Sequence, residues 1–518
     1  MLLLIHKWHR RWLAVVIASF GLLVAITFII LAQPTNALAG TCTGSLQAKI
    51  DVAPAGGTVT AEPCIYREQV TISKPITLKG QPGSEIRGSD VWTGWTYSGG
   101  YWRSSKTLPL FPQGPEVQCM PNTSRCLWPE QVFFDGKPLY QVASDPTNGQ
   151  FAVDAERRVV LKDDPRNRFV EVTVRRYWVL GKTANVTIEG FTMKHAANEA
   201  QSGAIMNRMG RLGDAYDNWT VQNNRLSDAH GAMVSLKGDV RHYATGLKIL
   251  NNDLYGGGEL GIHGVVTQGE IIQGNEIHHN NTEDFNILWW EGGGLKILYA
   301  KGLVVDSNRV YSNKGNAVWC DTDCLNVTIS NNRIHHNFRR GIHYEISESA
   351  KIFGNVVWEN GWGIREDIKG AGIGVSNSRN VEVYANTLAW NADGLVVYAQ
   401  DRESMAYDNV YGVYVHDNTV LAKDYASDPT SNYGLAWYQG PYSNQMFDSA
   451  SNNRGAYNKY WYPDAESSLV RYEWKKTGYA KLANFNATPG EENGRYLTQS
   501  EKDAVVSNKG IPANPEPH

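Results

Sequence analysis

Short alternations of apolar and polar residues recur along the middle of the chain, for example at residues 327–329, 381–383 and 413–415. A period of two is typical of half-buried β-strands. The stretches between these alternations lack the 3.6-residue spacing of an amphipathic helix. The pattern therefore predicts many short strands that are joined by turns and not by helices.

An asparagine stands at a turn in each repeat of this pattern. The positions are Asn224, Asn252, Asn275, Asn308, Asn332, Asn355, Asn386 and Asn418, and five of them have a second asparagine five residues later. Their spacing is close to 23 residues, with additions of up to ten, and such a period indicates a solenoid or another array. We expect each asparagine to hydrogen-bond its counterpart in the next coil and to adopt the left-handed conformation of the turn.

These features predict an all-β, single-stranded solenoid, the right-handed parallel β-helix, in which each coil stacks on the previous one. The leucine pattern of leucine-rich repeats is missing, and a propeller blade needs a longer repeat. Five segments are predicted. They are a signal peptide or signal anchor at 1–39, a cap and first coils at 40–91, an antiparallel β insertion at 92–184, the parallel β-helix with the active-site coils at 185–424, and a C-terminal coil and cap at 425–518.

The N-terminal segment predicts export. A basic stretch at 6–11 is followed by an apolar run at 12–32 and an Ala-x-Ala pattern at 37–39, as in a cleaved signal peptide. The apolar run is also long enough to span a bilayer, so an uncleaved anchor stays open as the alternative. In both cases the folded part is secreted, periplasmic or on the outer cell surface, and an uncleaved anchor would be its one membrane contact.

The six cysteines fall into three local pairs, which agrees with an oxidising compartment. Disulfides are expected between Cys42 and Cys64 and between Cys119 and Cys126. Residues four apart in a straight strand are separated by about 13 Å. Cys320 can therefore reach Cys324 only if the chain turns between them, and whether they are bonded stays open. Zinc is a weak alternative, because no second pair has ligand spacing.

The composition narrows the classes of molecule that the protein could bind. The net charge is −3 and no basic stripe is present, which argues against a nucleic-acid partner. The chain has 17 Trp and 26 Tyr, whose rings can pack in a core or face sugar rings. The expected partner is a polysaccharide or an oligosaccharide.

Two acids share one offset from the asparagines. Asp321 and Glu345 each lie 13 residues after a repeat asparagine, so they should stack about 4.8 Å apart on adjacent coils. Retaining glycosidases use carboxyl groups about 5–5.5 Å apart. Two such close carboxylates cannot ionise independently, so one pKa should rise towards the range of a general acid. By alternation, Trp319 and His343 should share the solvent-facing side with them.

Further candidates flank the pair. We expect Lys296 near the column of Asp321, with Glu291 and Trp290 just before it, and we expect Ser376 to end the stack of acids after Glu345. Asp323 is either a turn former or an alternative to Asp321. The substrate-binding candidates are Trp319, His343, Glu291, Lys296, Trp290 and Asp323.

The opening coils, the segment Phe134-Asp135-Gly136-Lys137 and the asparagine repeat resemble the pectate-lyase-like β-helix superfamily. Within it, Trp319-Cys320-Asp321 followed by Tyr344-Glu345-Ile346 resembles the acid pair of β-helical glycosidases such as β-xylosidases and their fucosidase and xylanase relatives. The resemblance implies that Asp321 is the nucleophile and that Glu345 is the acid/base.

A retaining glycoside hydrolase is therefore the leading hypothesis. A polysaccharide lyase or uronate epimerase is the second, with cations drawn from Lys296, Arg339, Arg340, Arg365 and Lys369. A non-catalytic carbohydrate-binding solenoid is the third. No cofactor is expected, although stacked acids could also hold calcium.

Overall fold

Three long parallel sheets run through the protein, and each coil contributes one strand to each sheet. The computed structural model describes residues 40–112, 119–364, 368–400, 409–423, 433–440 and 445–516. The predicted signal segment at 1–39 and Arg365 lie outside these residues. In the described residues, no helix is both long and apolar enough to cross a membrane.

The strands of each sheet follow one another along the stack of coils. Sheet I contains Val70–Ile72, Val179–Gly181, Gly203–Met206, Ala232–Lys237, Leu260–Val265, Gly293–Leu298, Asn316–Asp321, Ile342–Glu345, Ala371–Ser376, Asp393–Ala399, Leu435–Gln439, Tyr472–Trp474 and an antiparallel last strand, Thr477–Tyr479. Sheet II contains Thr58–Ala61, Ile76–Gly80, Val186–Glu189, Trp219–Gln222, Lys248–Leu250, Ile271–Gln273, Val304–Asp306, Leu325–Ser330, Glu348–Phe353, Arg379–Tyr384, Tyr414–His416 and Arg454–Ala456. Sheet III contains Ile65–Tyr66, Glu85–Arg87, Thr192–Ala196, Arg225–Ala229, Asp253–Tyr255, Glu276–His278, Arg309–Tyr311, Arg333–His335, Val356–Trp358, Thr387–Ala389, Thr419–Leu421, Lys459–Trp461 and Arg495–Tyr496. Each coil thus runs through sheets I, II and III in turn, which confirms the predicted solenoid.

The part of the sequence between the first coils and the rest of the β-helix forms two smaller, mainly antiparallel sheets. One contains Ser89–Val91, Val132–Phe134, Lys137–Pro138 and Val170–Thr173, and the other contains Trp95–Ser98, Tyr101–Thr107, Tyr140–Gln141, Gln150–Val153 and Arg158–Leu161. A short two-stranded sheet joins Ala244–Thr245 to Thr267–Gln268. The parallel helix has resumed by Val179, which pairs with Val70.

The helices lie near the two ends of the chain. Helix α1 spans Leu46–Val52 and buries Leu46 and Ile50. Helix α2 spans Leu482–Phe485, and helix α3 spans Gln499–Lys509 with a capping box from Thr498. Val506 of α3 joins a cluster with Trp358 of sheet III, so α3 covers the outside of that sheet. Short 3₁₀ turns occupy Arg125–Leu127, Gln445–Phe447 and Ser449–Ser451.

The asparagines form a continuous buried ladder. The Asn332 Nδ2 donates to Asn355 Oδ1 at 2.9 Å, and the Asn332 Oδ1 accepts from the backbone N and Nδ2 of Asn308 at 2.9 and 3.0 Å. A second ladder joins Asn280, Asn313, Asn337, Asn360 and Asn391 in the same way. These bonds satisfy backbone and amide groups that the coil corners would otherwise leave buried without partners.

One expectation about these corners is wrong. The left-handed residue is the one before the ladder asparagine, such as Ser307 at φ 55° or Ala385 at φ 52°. The ladder asparagines themselves do not have positive φ. The two residues have different roles. The preceding residue turns the chain at the corner, and the asparagine points its amide inward, where it hydrogen-bonds both neighbouring coils.

All three cysteine pairs are bonded, including the pair that the sequence left open. The Cα atoms of Cys320 and Cys324 are 6.3 Å apart. Thr322 and Asp323 adopt left-handed conformations at φ 53° and 55°, which supplies the turn that this short bridge requires.

A buried acid at the corner between sheets I and II should make stability depend on pH. The Glu270 side chain is fully buried, its Oε2 accepts from Thr267 Oγ1 at 2.9 Å, and burial raises its pKa to about 7. The unfolded chain should titrate this group near its ordinary pKa of about 4.3. Its contribution to stability is therefore full below about pH 4 and is lost as the pH rises towards about 7.

We expect Glu270→Gln to remove this dependence, because an amide does not titrate. The unfolding free energy of the variant relative to the natural protein should rise by about 3 kcal/mol between about pH 4 and pH 8. Urea unfolding of both proteins across this range measures the difference, in which the other titrating groups cancel. Parallel stability curves would contradict the prediction.

Candidate active site

Asp321 and Glu345 are direct neighbours on adjacent strands of sheet I. The column that contains them reads Lys237, Val265, Leu298, Asp321, Glu345, Ser376 and Tyr398. The predicted pairing is confirmed, and Ser376 ends the stack of acids. The alternate residues Val318, Cys320, Ile342 and Tyr344 are buried in the core, so the two acids face outward from the sheet.

The acids are less exposed than expected. Their side chains are 12% and 9% exposed, because charged and aromatic neighbours cover them. The Lys296 Nζ lies 3.0 Å from Asp321 Oδ2 and 3.4 Å from Glu291 Oε1. The Trp319 Nε1 donates to Glu345 Oε2 at 3.1 Å, and the His343 Nδ1 lies 3.6 Å from the same oxygen.

Lys296 lies near the column of Asp321, as predicted, although it stands in the column of Trp319. It pairs with Trp319, and Leu298 pairs with Asp321. The corner from Asp321 to Thr328 is one residue longer than that from Leu298 to Val304, so counting back from the asparagine gives the wrong register. The long side chain of Lys296 nevertheless reaches Asp321.

Lys296 remains an ammonium in this site. Burial lowers its pKa, but the carboxylates of Glu291 and Asp321 outweigh burial, and the pKa is raised overall. Burial also raises the pKa of Glu291, against the opposing effect of Lys296. Lys296 thus holds a fixed positive charge between two carboxyl groups.

Trp319 does not offer a free ring face, although the sequence suggests it for substrate binding. The Lys296 Nζ lies 3.7 Å from the centre of its ring on one side, and the His343 ring stacks 5.4 Å away on the other. The residue is only 5% exposed. Its role in this geometry is to donate a hydrogen bond to Glu345. The His343 Nε2 contacts Ser376 Oγ and Tyr398 Oη at 3.1 and 3.2 Å, which fixes the imidazole.

The remaining candidates lie beside the pair with different roles. Trp290 accepts from Lys296 Nζ at 2.8 Å through its backbone oxygen, while the neighbouring Trp289, which the sequence reasoning did not select, is 58% exposed. Asp323 is half-buried in the left-handed corner after the strand, where its backbone N donates to Ile346 O at 2.8 Å. The backbone role of Asp323 fits a turn former.

The structure also describes the positions of three basic residues that a lyase could use. The Arg339 Nη1 donates to Leu288 O at 3.0 Å and so holds the loop that carries Glu291. The Arg340 guanidinium lies 5.1 Å from the centre of the Tyr398 ring, next to His343. Lys369 lies in a turn before the strand Ala371–Ser376.

An open cleft of about 460 Å³ on the outer side of sheet I reaches Leu298, the strand neighbour of Asp321, although neither acid of the pair lines it. Its lining residues are Gln201, Arg208, Arg211, Leu212, Lys237, Gly238, Asp239, Val240, His263, Val265, Val266, Glu291 and Leu298. The sequence reasoning missed most of them. The repeat could have identified Lys237, because this residue stands 13 residues after Asn224, the same offset as the two acids. Another concavity lies on sheet II around Lys351 and Glu382, away from the acids.

A calcium ion does not fit between the two acids. The Lys296 ammonium already contacts Asp321, and Trp319 donates to Glu345. Across the part of the chain that the structure describes, no three His, Cys, Asp or Glu side chains come together as a metal site. Calcium elsewhere in the protein stays a prediction.

Comparisons with known proteins agree with the observed fold. The sequence family described as "Right handed beta helix region" matches residues 212–388, which include both acids and most of the asparagine ladder. The chain is a right-handed parallel β-helix. No curated protein sequence matches it.

Solved structures similar to this β-helix share little sequence with it. The structure of XylC in complex with xylose has a TM-score of 0.60 and 16% identity, with 84% of this chain and 83% of XylC covered. The A-module of the Azotobacter vinelandii mannuronan C-5 epimerase AlgE6 has a TM-score of 0.49 and 13% identity, with 87% and 93% covered. A glycoside hydrolase has a TM-score of 0.32 and 11% identity, with 77% and 92% covered. At 16% identity the likeness to XylC supports the fold alone.

Proposed function

We propose that this β-helix is an exported retaining glycoside hydrolase that acts on a polysaccharide or an oligosaccharide. The observation that carries the proposal is the stacking of Asp321 on Glu345, facing outward beside an open cleft. Adjacent strands are about 4.8 Å apart, which is close to the separation of about 5–5.5 Å that retaining glycosidases use. The three disulfides agree with export to an oxidising compartment.

The neighbours suggest how the two acids divide the reaction. The Lys296 ammonium at 3.0 Å holds the Asp321 carboxyl group in place, which suits it to attack the anomeric carbon. Glu345 would protonate the leaving oxygen as the glycosidic bond breaks, which leaves the sugar attached to Asp321. A water molecule would then give a proton back to Glu345 while its oxygen displaces Asp321 from the sugar.

A lyase or epimerase fits the site less well. Such an enzyme needs a base that removes a proton beside a uronate carboxylate. Lys296, the cation nearest to the acid pair in the described residues, has a raised pKa and is protonated at neutral pH. Its ammonium is also held by Glu291 and Asp321, so it is suited to stabilising negative charge and unsuited to accepting a proton.

Lys296→Met tests the division of roles. Loss of the ammonium leaves Glu291 and Asp321 without their shared cation, so the Asp321 carboxyl group is no longer held in position for attack. We expect kcat to fall by about 10²-fold. Lys351→Met, at an exposed position on sheet II away from the acids, is the control with the same loss of charge. A kcat that falls no further in Lys296→Met than in the control would contradict the role of Lys296.

A product screen tests the proposed reaction. Purified protein without residues 1–39 should release reducing sugar from a member of a polysaccharide panel, without unsaturated products that absorb in the ultraviolet. Unsaturated ends would support the lyase. Binding of a glycan without any product would support the non-catalytic alternative.

A further inference from the structure

The end of the cleft that lies away from the acids is lined by three basic side chains. Arg208 and Arg211 lie in the segment after the strand Gly203–Met206, and Lys237 ends the next strand of sheet I. Their positive charge is concentrated at one end, while Val265 and Leu298 form an apolar floor towards Asp321. The cleft therefore changes from cationic to apolar along the axis of the β-helix, and the acid pair lies on the next two strands.

The strand register of sheet I gives the distance between the basic residues and the acid pair. Lys237 lies in the same column as Asp321, three strands before it. Three strand separations amount to about 14 Å. A glycan chain that runs along the helix axis could therefore reach the basic residues while one of its bonds lies at the acid pair.

The basic groups retain hydrogen-bonding capacity. Arg208 is 7% exposed, its Nη1 donates to Gly238 O at 3.2 Å, and its buried Nε has no hydrogen-bond partner. The Lys237 Nζ donates to Gln201 O, and the Arg211 Nη2 donates to Gln201 Oε1 at 3.2 Å. An ammonium has three donors and a guanidinium has five, so these residues can donate further bonds.

Three basic side chains line this end of the cleft, and Asp239, an acid that also lines it, offsets part of the positive charge of Arg208. The Asp239 Oδ1 accepts from the backbone N of its own turn, at Arg241, with a distance of 2.8 Å. Glu291 is paired with Lys296 on the side of the acid pair. The His263 Nε2 lies 3.7 Å from Glu291, and burial lowers the pKa of His263, so this imidazole is neutral at neutral pH.

We infer that Arg208, Arg211 and Lys237 form a subsite for an anionic group on the carbohydrate, such as a uronate carboxylate or a sulfate ester. Guanidinium groups bind both kinds of oxyanion through paired hydrogen bonds. The inference deepens the proposed hydrolase, because the subsite would select an acidic glycan and fix which bond lies over Asp321 and Glu345.

Binding of matched oligosaccharides tests the subsite separately from catalysis. The probes are oligogalacturonate, the same oligomer after its carboxyl groups have been reduced to neutral alcohols, and sulfated and unsulfated galactan oligomers. Titration calorimetry on the catalytically impaired Glu345→Gln protein should show at least about tenfold tighter binding for one charged probe than for its neutral counterpart. Preference for the carboxylate or for the sulfate identifies the source of the anion.

Two variants locate the binding. Arg211→Gln should lower the affinity for the charged probe about tenfold and leave binding of the neutral probe unchanged. Arg241→Gln, an exposed arginine outside the cleft lining, removes the same charge and should have no comparable effect. If Arg211→Gln is poorly folded, Arg208→Lys, which keeps the charge but loses the forked donors, should weaken binding of the same probe.

The possible failures are distinguishable. Equal affinity for charged and neutral probes, or no binding of any charged probe, would overturn the subsite even if neutral glycans are hydrolysed. Selective binding of a charged glycan that is lost in Arg211→Gln would support the subsite even if the natural protein hydrolyses nothing.

Discussion

Asp321→Asn and Glu345→Gln should each lower kcat by about 10³-fold or more, with little change in the unfolding midpoint. Asp321→Asn removes the oxygen nucleophile, and Glu345→Gln removes the proton donor that lies one strand away. Both amides keep the shape of the acids, so the proteins should fold. Initial rates on the substrate found by the screen, together with thermal unfolding, measure the two effects.

The two variants should differ on activated substrates. An aryl glycoside with a good leaving group needs little protonation, so Glu345→Gln should form the glycosyl-enzyme and then stall. Azide should restore the turnover of Glu345→Gln, because it attacks the glycosyl-enzyme without a general base. Azide should not restore a turnover of Asp321→Asn that retains the anomeric configuration. Asp323→Asn is the matched control and should keep nearly full activity, because Asp323 lies in the corner turn. If Asp323→Asn is inactive and Asp321→Asn is active, the assignment is wrong.

Asn332→Ala should lower the unfolding free energy by about 3–5 kcal/mol. Its loss leaves the backbone N and Nδ2 of Asn308 without their acceptor and the oxygen of Val305 without its donor. All of these groups are buried, and each unsatisfied group costs about 1–3 kcal/mol. Urea unfolding followed by circular dichroism measures the change.

The residue before Asn332 provides the control. Asn331 is exposed, has φ 55° and donates to Asp306 Oδ1 at 2.9 Å. Glycine tolerates the same φ, so Asn331→Gly should change stability by no more than about 1 kcal/mol. A similar loss in both variants would mean that the ladder bonds contribute no more than an ordinary corner residue.

The repeat of the asparagines was sufficient to predict the fold and the register of the two acids. That success has a physical cause, because the asparagine marks the same position in every coil, so residues at an equal distance after it become spatial neighbours even though the coils differ in length. The register fails where a coil gains a residue, as between Asp321 and Thr328, so counting back from Asn308 does not give Leu298, the strand partner of Asp321.

Other features of the site depend on side-chain contacts that the asparagine repeat does not predict. The covered faces of Trp319 result from the reach of Lys296 across columns and from the stacking of His343. Glu291 comes from the long loop before the strand Gly293–Leu298, whose path no repeat predicts. The predicted rise in one pKa of the acid pair stays a prediction.

The configuration of the first product tests the central claim most directly. Proton NMR during hydrolysis can follow the anomeric signal of the new reducing end before mutarotation. The stacked acids predict that the product first appears with the same anomeric configuration as the cleaved bond. A product of inverted configuration, or an unsaturated product, would contradict the retaining mechanism proposed for Asp321 and Glu345.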